Sequence, residues 1–233
     1  MNATSLQEEY LLKGHNGLET CVALSSDPGR AFRGRKVMDR EVIKDVLRRF
    51  NERGVRYCLV GGLAMAHHAA PRFTQDVDLM VLPEDMPLVG QLLKGHEQRG
   101  TAVVLIFQIG ATRFDIIPAN LRARRESVLS AIDDLLDEMP VKVVNLRHLL
   151  LLKMWAAPDR SERGKRMRDE TDIVELIEFN PGKVSAEDIA YICQRLLAMC
   201  YTTEDVNKYR AQIEWLNGEL EALGLGDRRY ALQ

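Results

Sequence analysis

The spacing of apolar positions along the chain changes character near residue 145. Before it, short apolar runs of strand length alternate with amphipathic stretches; after it, helical spacing dominates. From about Arg40 to Arg53 the spacing is that of an amphipathic helix, with Asp39 placed to cap it. Strands are expected near 55–60, 76–81, 101–108, 112–117 and 140–144, and helices near 63–70, 85–98 and 121–132. The runs at 101–108 and 112–117 are joined by a short turn holding Gly110 and read as a hairpin. The implied architecture is α/β in the broad sense (α+β), a mixed sheet with helices on its outside.

Asn145 can cap a helix over 146–157, which Pro158 stops. A second helix over 163–179 ends at Asn180-Pro181-Gly182, and Ser185-x-x-Asp188 resembles a capping box opening a third, to about Cys200. A fourth spans 203–222, so the C-terminal part is expected to be a helical bundle. Residues 1–37 show weak periodicity and several glycines, and are expected to form a loosely ordered extension, with Met38 a candidate functional start. The expected divisions are therefore this extension, a domain over 38–144 and a helical region over 145–233.

Candidate chemistry sits in the first of these regions. Tyr57-Cys58-Leu59-Val60 reads as a buried strand, Gly61-Gly62 as a tight turn, and the helix that follows offers free amides to a phosphate. In Asp76-Val77-Asp78-Leu79-Met80-Val81 the period of two puts both carboxylates on one side of a strand. A third carboxylate, Asp115, lies in the strand-like run Arg113-Phe114-Asp115-Ile116-Ile117-Pro118, where an acidic group needs a partner, a metal or solvent. Three carboxylates on neighbouring strands suit divalent-metal-assisted phosphoryl chemistry. His67 and His68 are adjacent on a helix, cannot share a face as a metal pair, and are expected to be packed or solvated.

Gly61-Gly62, Arg72-x-Thr74-x-Asp76-Val77-Asp78 and Asp115 together resemble the DNA polymerase β-type nucleotidyltransferase superfamily. Lys153-Met154-Trp155-Ala156 and Arg168-Asp169-Glu170-Thr171-Asp172-Ile173 are similar to the Lys-x-x-Ala and Asp-x-x-Asp motifs of its AbiE-type (AbiEii/AbiGii) toxins, a likeness covering about residues 38–180. The resemblance implies a nucleotidyltransferase fold and transfer of a nucleoside monophosphate from an NTP to an acceptor hydroxyl. It implies Mg²⁺ or Mn²⁺ held by Asp76, Asp78 and Asp115. It further implies nucleotide contacts from Gly61, Gly62, Arg72, Thr74, Lys153 and Asp172, with Asp172 either orienting Lys153 or touching the nucleotide. The implied acceptor is tRNA or another RNA, and the implied partner a cognate antitoxin. Two positions depart from the family pattern: Gly62 stands where a serine is common, and Arg168 where a lysine is common. A small-molecule acceptor, as in aminoglycoside nucleotidyltransferases, and a non-catalytic module of the same fold are the alternatives.

Composition changes this picture only at the edges. The net charge is −2, yet Arg160, Arg163, Lys165, Arg166 and Arg168 form one basic cluster and Arg122, Arg124 and Arg125 another, each either a phosphate-binding surface or a solvated face. Aromatic residues at 6% give little capacity to stack single strands. The four cysteines have no paired spacing and are expected to be reduced core thiols. No apolar run approaches the ~20 residues of a membrane span, and the expected location is the cytoplasm.

Overall fold

Asp39 opens the first long helix as its sequence requires: its carboxylate accepts the amides of Glu41 and Val42, and the helix runs Arg40–Glu52. Ile43, Val46, Leu47 and Phe50 recur at three- and four-residue spacing and are buried, each side chain of this kind stabilising the fold by ~1.5–3 kcal/mol. The computed structural model describes residues 17–27, 37–101 and 103–232, and the chain divides into two compact units meeting at Asn145 and Leu146.

The described elements of the first unit are helices α1 (Gly17–Ser25), α2 (Arg40–Glu52), α3 (Gly61–His68), α4 (Met86–Leu92) and α5 (Arg122–Leu129) and seven strands. The strands are β1 (Tyr57–Leu59), β2 (Asp76–Val81), β3 (Glu97–Gly100), β4 (Leu105–Ile109), β5 (Thr112–Pro118), β6 (Ile132–Leu136) and β7 (Met139–Val143), ordered β3-β4-β5-β2-β1-β7-β6 in one sheet. β1 runs antiparallel to β2 and parallel to β7, while β2 and β5 are parallel, so the mixed α/β class read from the sequence is the one observed. Val77, Leu79, Val81, Phe114 and Ile116 fill the face of β2 and β5 that points into the core. Phe50 and Tyr57 meet edge to face, with ring centroids 5.8 Å apart.

Three segments differ from the sequence expectations. Residues 85–98 hold not one helix but a 3₁₀ turn at Pro83–Asp85, the short α4 and then β3, whose four residues are all exposed. The helix expected over 121–132 stops at Leu129, where the Ser130 hydroxyl donates to the Glu126 carbonyl, and the chain continues as the mostly exposed edge strand β6. Asp137 and Glu138 then turn the β6–β7 hairpin at φ 49° and 64°. Asp137 is held there by ion pairs with Arg40 and Lys44, and its amide donates to Glu19 Oε1 at 3.1 Å.

The reading of residues 1–37 as a loose extension does not hold for Gly17–Ser25. Leu18, Cys21, Val22 and Leu24 of α1 are buried, and Gly17 lies so close to the Ala66 carbonyl that a Cβ there would collide with it. Met38, the candidate start, is itself buried and its amide donates to the Ser25 carbonyl at 2.9 Å. The remainder of that call, over 1–16 and 28–36, lies outside the described residues.

The second unit is helical. It contains α6 (Leu146–Ala156), α7 (Arg163–Glu178), α8 (Ala186–Ala198) and α9 (Thr203–Ala222), with Leu149, Leu150, Met154, Ile173, Leu176, Ile192, Ile213 and Leu216 among its buried residues. The capping box at Ser185 and Asp188 is complete, and an equivalent one forms at Thr202 and Asp205. Arg147 also pairs with Asp188, tying α6 to the start of α8. No helix among the described residues is long and apolar enough to cross a membrane.

Candidate active site

The parallel pairing of β2 with β5 sets Asp76 beside Arg113 and Asp78 beside Asp115. Their chain neighbours Val77, Leu79, Phe114 and Ile116 are buried, so the four charged side chains share the opposite, open face as a two-by-two group. Within it, Arg113 holds both oxygens of Asp115, Nε on Oδ1 and an Nη on Oδ2, each at 2.6 Å. The carboxylates of Asp115, Asp76 and Asp78 raise the Arg113 guanidinium above its ordinary value, the hydrogen bond to Asp115 contributing most and burial opposing it.

The glycine turn closes one side of this group. The backbone amide of Val60 donates to the Asp78 carbonyl at 3.0 Å, fixing the end of β1 against β2. Gly61 adopts φ +59°, and a Cβ there would run into the Asp78 carboxylate, so both conformation and space demand glycine. A Cβ on Gly62 would come within 2.7 Å of the Thr74 hydroxyl. That hydroxyl donates to Asp76 Oδ1 at 3.2 Å, and the Thr74 amide donates to Ser25 Oγ of α1 at 2.9 Å. Thr74, just before β2, therefore fills the space that a side chain at position 62 would need.

Of the residues expected at a nucleotide site, Gly61, Gly62, Thr74, Asp76, Asp78 and Asp115 thus lie together. Arg72 is in the loop entering β2, where its carbonyl accepts the Cys21 thiol at 2.8 Å. Burial, partly offset by that bond, pushes the Cys21 thiol up to about 11, and all four cysteines are free thiols. His67 Nδ1 pairs with Asp134 Oδ2 at 2.6 Å and His68 Nε2 with the Val144 carbonyl at 2.7 Å, so each ring has a partner within the first unit. Burial raises Asp134, but the bonds from His67 and the Leu135 amide outweigh it and hold the carboxyl below its usual range.

Lys153 and Asp172 belong to the second unit, and there they meet each other at 2.6 Å. Lys153 also binds Asp169 at 2.8 Å, and Asp169 binds Arg160 at 2.8 Å, giving two carboxylates and two cations between α6 and α7. Asp172 is fully buried. Asp172 thus pairs with Lys153, and Asp169 and Arg160 complete the cluster. Arg113 is a functional candidate missed, although its spacing of two from Asp115 placed it on the same face.

No three His, Cys, Asp or Glu side chains among the described residues are drawn together as a ready set of metal donors. The donor chemistry nevertheless fits a hard divalent cation, since Asp76, Asp78 and Asp115 offer only carboxylate oxygens from one sheet face.

The chain is similar to an antigenic nucleotidyltransferase-like protein from Paracoccidioides brasiliensis, at 17% identity and a TM-score of 0.53 over 79% of this chain and 90% of that one, a likeness of fold. It is also similar, at 16% identity and a TM-score of 0.44, over 61% of this chain and 97% of that one, to ANT(2″)-Ia in complex with adenylyl-2″-tobramycin. A third likeness, at 12% identity and a TM-score of 0.28 over 81% of this chain and 88% of that one, is to the CdnE cyclic dinucleotide synthase of Elizabethkingia meningoseptica. No curated protein matches by sequence. The family model for the nucleotidyl transferase AbiEii toxin of type IV toxin–antitoxin systems matches residues 45–225, which include every one of the carboxylates, the glycine turn and the Lys153 cluster. The chain therefore belongs to the AbiEii nucleotidyltransferase family and is a transferase.

Proposed function

We propose that this nucleotidyltransferase moves a nucleoside monophosphate from an NTP to a hydroxyl of tRNA or another RNA in the cytoplasm. In this reading it uses Mg²⁺ or Mn²⁺ and acts as a toxin restrained by a cognate antitoxin protein. The observation that carries the chemistry is the register of β2 and β5, which sets Asp78 beside Asp115 with Asp76 on the same face.

Asp76, Asp78 and Asp115 would hold the divalent cation, which when bound neutralises charge on the triphosphate and the leaving pyrophosphate. Gly61 and Gly62 let the first amides of α3 approach the phosphates without side chains in the way. Thr74 fixes the Asp76 carboxylate by its hydroxyl bond. Arg72, at the entry to β2, is assigned a phosphate contact. Asp115 is the residue to take the proton of the attacking hydroxyl at its carboxylate. Lys153 is assigned a point-charge contact to the nucleotide, with Asp172 the carboxylate it pairs with.

A small-molecule acceptor is the second reading, and one observation favours it. Several members of the two basic clusters are engaged within the chain: Arg160 with Asp169, Lys165 with Glu162, Arg166 with Glu170, Arg122 with Glu126 and Arg125 with Glu84. Side chains already paired offer less to a polyanion.

The test is incubation of the protein with Mg²⁺, each α-³²P-labelled NTP in turn and total bacterial tRNA, resolved on a denaturing gel. Label on RNA names the donor and supports the first reading. A protein that leaves RNA unlabelled but adenylylates or otherwise marks an aminoglycoside supports the second.

A further inference from the structure

Arg113 stands inside the acidic group, not at its rim. It is the register neighbour of Asp76 across the strands, and it grips Asp115 two residues along its own strand. Three carboxylates on one sheet face repel one another unless a cation lies among them. A planar guanidinium forked on a carboxylate is a strong way to supply that cation, because two parallel charge-assisted bonds form at once.

The same fork conflicts with a metal. Both oxygens of Asp115 accept a bond at 2.6 Å, which takes one acceptor site on each and sets the guanidinium's positive charge against an incoming cation while Arg113 stays in place. Release needs no movement of the sheet: the Arg113 side chain is 39% exposed against 13% for Asp115, so the guanidinium has an open path outward while the carboxylate remains on its strand.

We propose that Arg113 is a resident counter-ion of the carboxylate group, holding Asp115 until a divalent cation displaces it. The inference rests on the divalent-cation reading given above. Arg113 is then a positioning residue acting through Asp115. Arginine and metal compete for one carboxylate, and by linkage each weakens the other's hold. The competition keeps the acidic face neutralised when no metal–nucleotide complex is at hand.

The test is direct titration of the full chain with Mn²⁺, read by calorimetry and by the loss of free Mn²⁺ signal in electron paramagnetic resonance, without NTP. Wild type is compared with Arg113→Gln, Arg113→Lys and Asp76→Asn. Arg113→Gln is expected to bind Mn²⁺ about tenfold more tightly than wild type, on the scale of a charge-assisted bond partly open to solvent. Arg113→Lys, which keeps charge but cannot fork, should fall between them. Without metal Arg113→Gln should melt below wild type, and Mn²⁺ should raise its melting temperature by more.

Equal or weaker Mn²⁺ binding by both Arg113 variants, with binding in wild type abolished by Asp76→Asn, would overturn the counter-ion role and leave the metal site standing. Absence of Mn²⁺ binding in wild type and in every Arg113 variant would overturn the metal reading and this inference with it. If Arg113→Gln does not fold, Arg113→Lys decides the matter by the same comparison.

Discussion

Gly61 packs its α-carbon against the carboxylate of Asp78, leaving no room for a side chain between the end of β1 and the acidic strand. Gly61→Ala meets both a positive φ and that carboxylate, so it should displace Asp78 and strain the turn, lowering stability by ~1–3 kcal/mol and transfer rate by two orders of magnitude or more. Thermal melting and labelled-NTP transfer measure the two effects. Wild-type rate in the alanine variant would contradict the packing argument.

A serine at position 62, which the family resemblance would lead one to expect, should not help here. Gly62→Ser brings its Cβ against Thr74 Oγ1, and the threonine must leave Asp76. We expect slower transfer in Gly62→Ser and recovery in the double variant with Thr74→Gly, which removes both the hydroxyl and the Cβ that a side chain at 62 would meet, a coupling that a double-mutant cycle reads directly.

Asp76→Asn keeps the shape and the Thr74 contact but removes a charge. Transfer should fall by at least ~1000-fold with the melting temperature within a few degrees of wild type, as for loss of a group that holds a catalytic cation. Circular dichroism and the labelling assay separate these outcomes, and a fully active variant would sink the mechanism.

The Lys153 cluster predicts a stability effect. Lys153→Met leaves Asp169 and the fully buried Asp172 without their shared ammonium, which should cost ~3–5 kcal/mol. Adding Asp172→Leu should recover part of that loss by removing one of the two carboxylates that the ammonium joins. Denaturant melts of the single and double variants test this apart from any assay of transfer.

Acid should weaken the second unit through Asp188. Burial raises this carboxyl, but the Ser185 hydroxyl and amide and the Arg147 guanidinium outweigh burial and depress it below its ordinary value. A depressed folded value means the contribution is present above the unfolded pKa of ~3.9 and is lost as pH falls through the folded one. Arg147→Ala should flatten the pH dependence of melting between about pH 4 and pH 2.

The two helical and strand periods carried most of the fold because the elements around the site are buried on one side. α2, β2, β5, α6 and α7 each show their period through buried apolar residues, and each was placed within about two residues of its observed limits. β3 and β6 escaped because edge strands bury little: Glu97–Gly100 is wholly exposed, and Ile132–Leu136 buries only Leu136. The turn at Asp137-Glu138 lacks the glycine or asparagine that marks such hairpins, its positive φ values being held by distant cations. α1 escaped because its partner is α3, and nothing local to residues 17–25 announces that contact. Within the site the carboxylates and glycines were legible from spacing, whereas the grip of Arg113 on Asp115 depends on side-chain direction that spacing alone does not rank.

The β6–β7 turn has a consequence for synthesis. Glu19 reaches the Asp137 amide across 118 residues, so α1 cannot be clasped until the last hairpin of the first unit has left the ribosome. Nascent chains shorter than this already contain every acidic residue of β2 and β5 but not the clasp on the helix whose Ser25 anchors Thr74. The last tie on that helix is thereby delayed to the closing stage of making its domain.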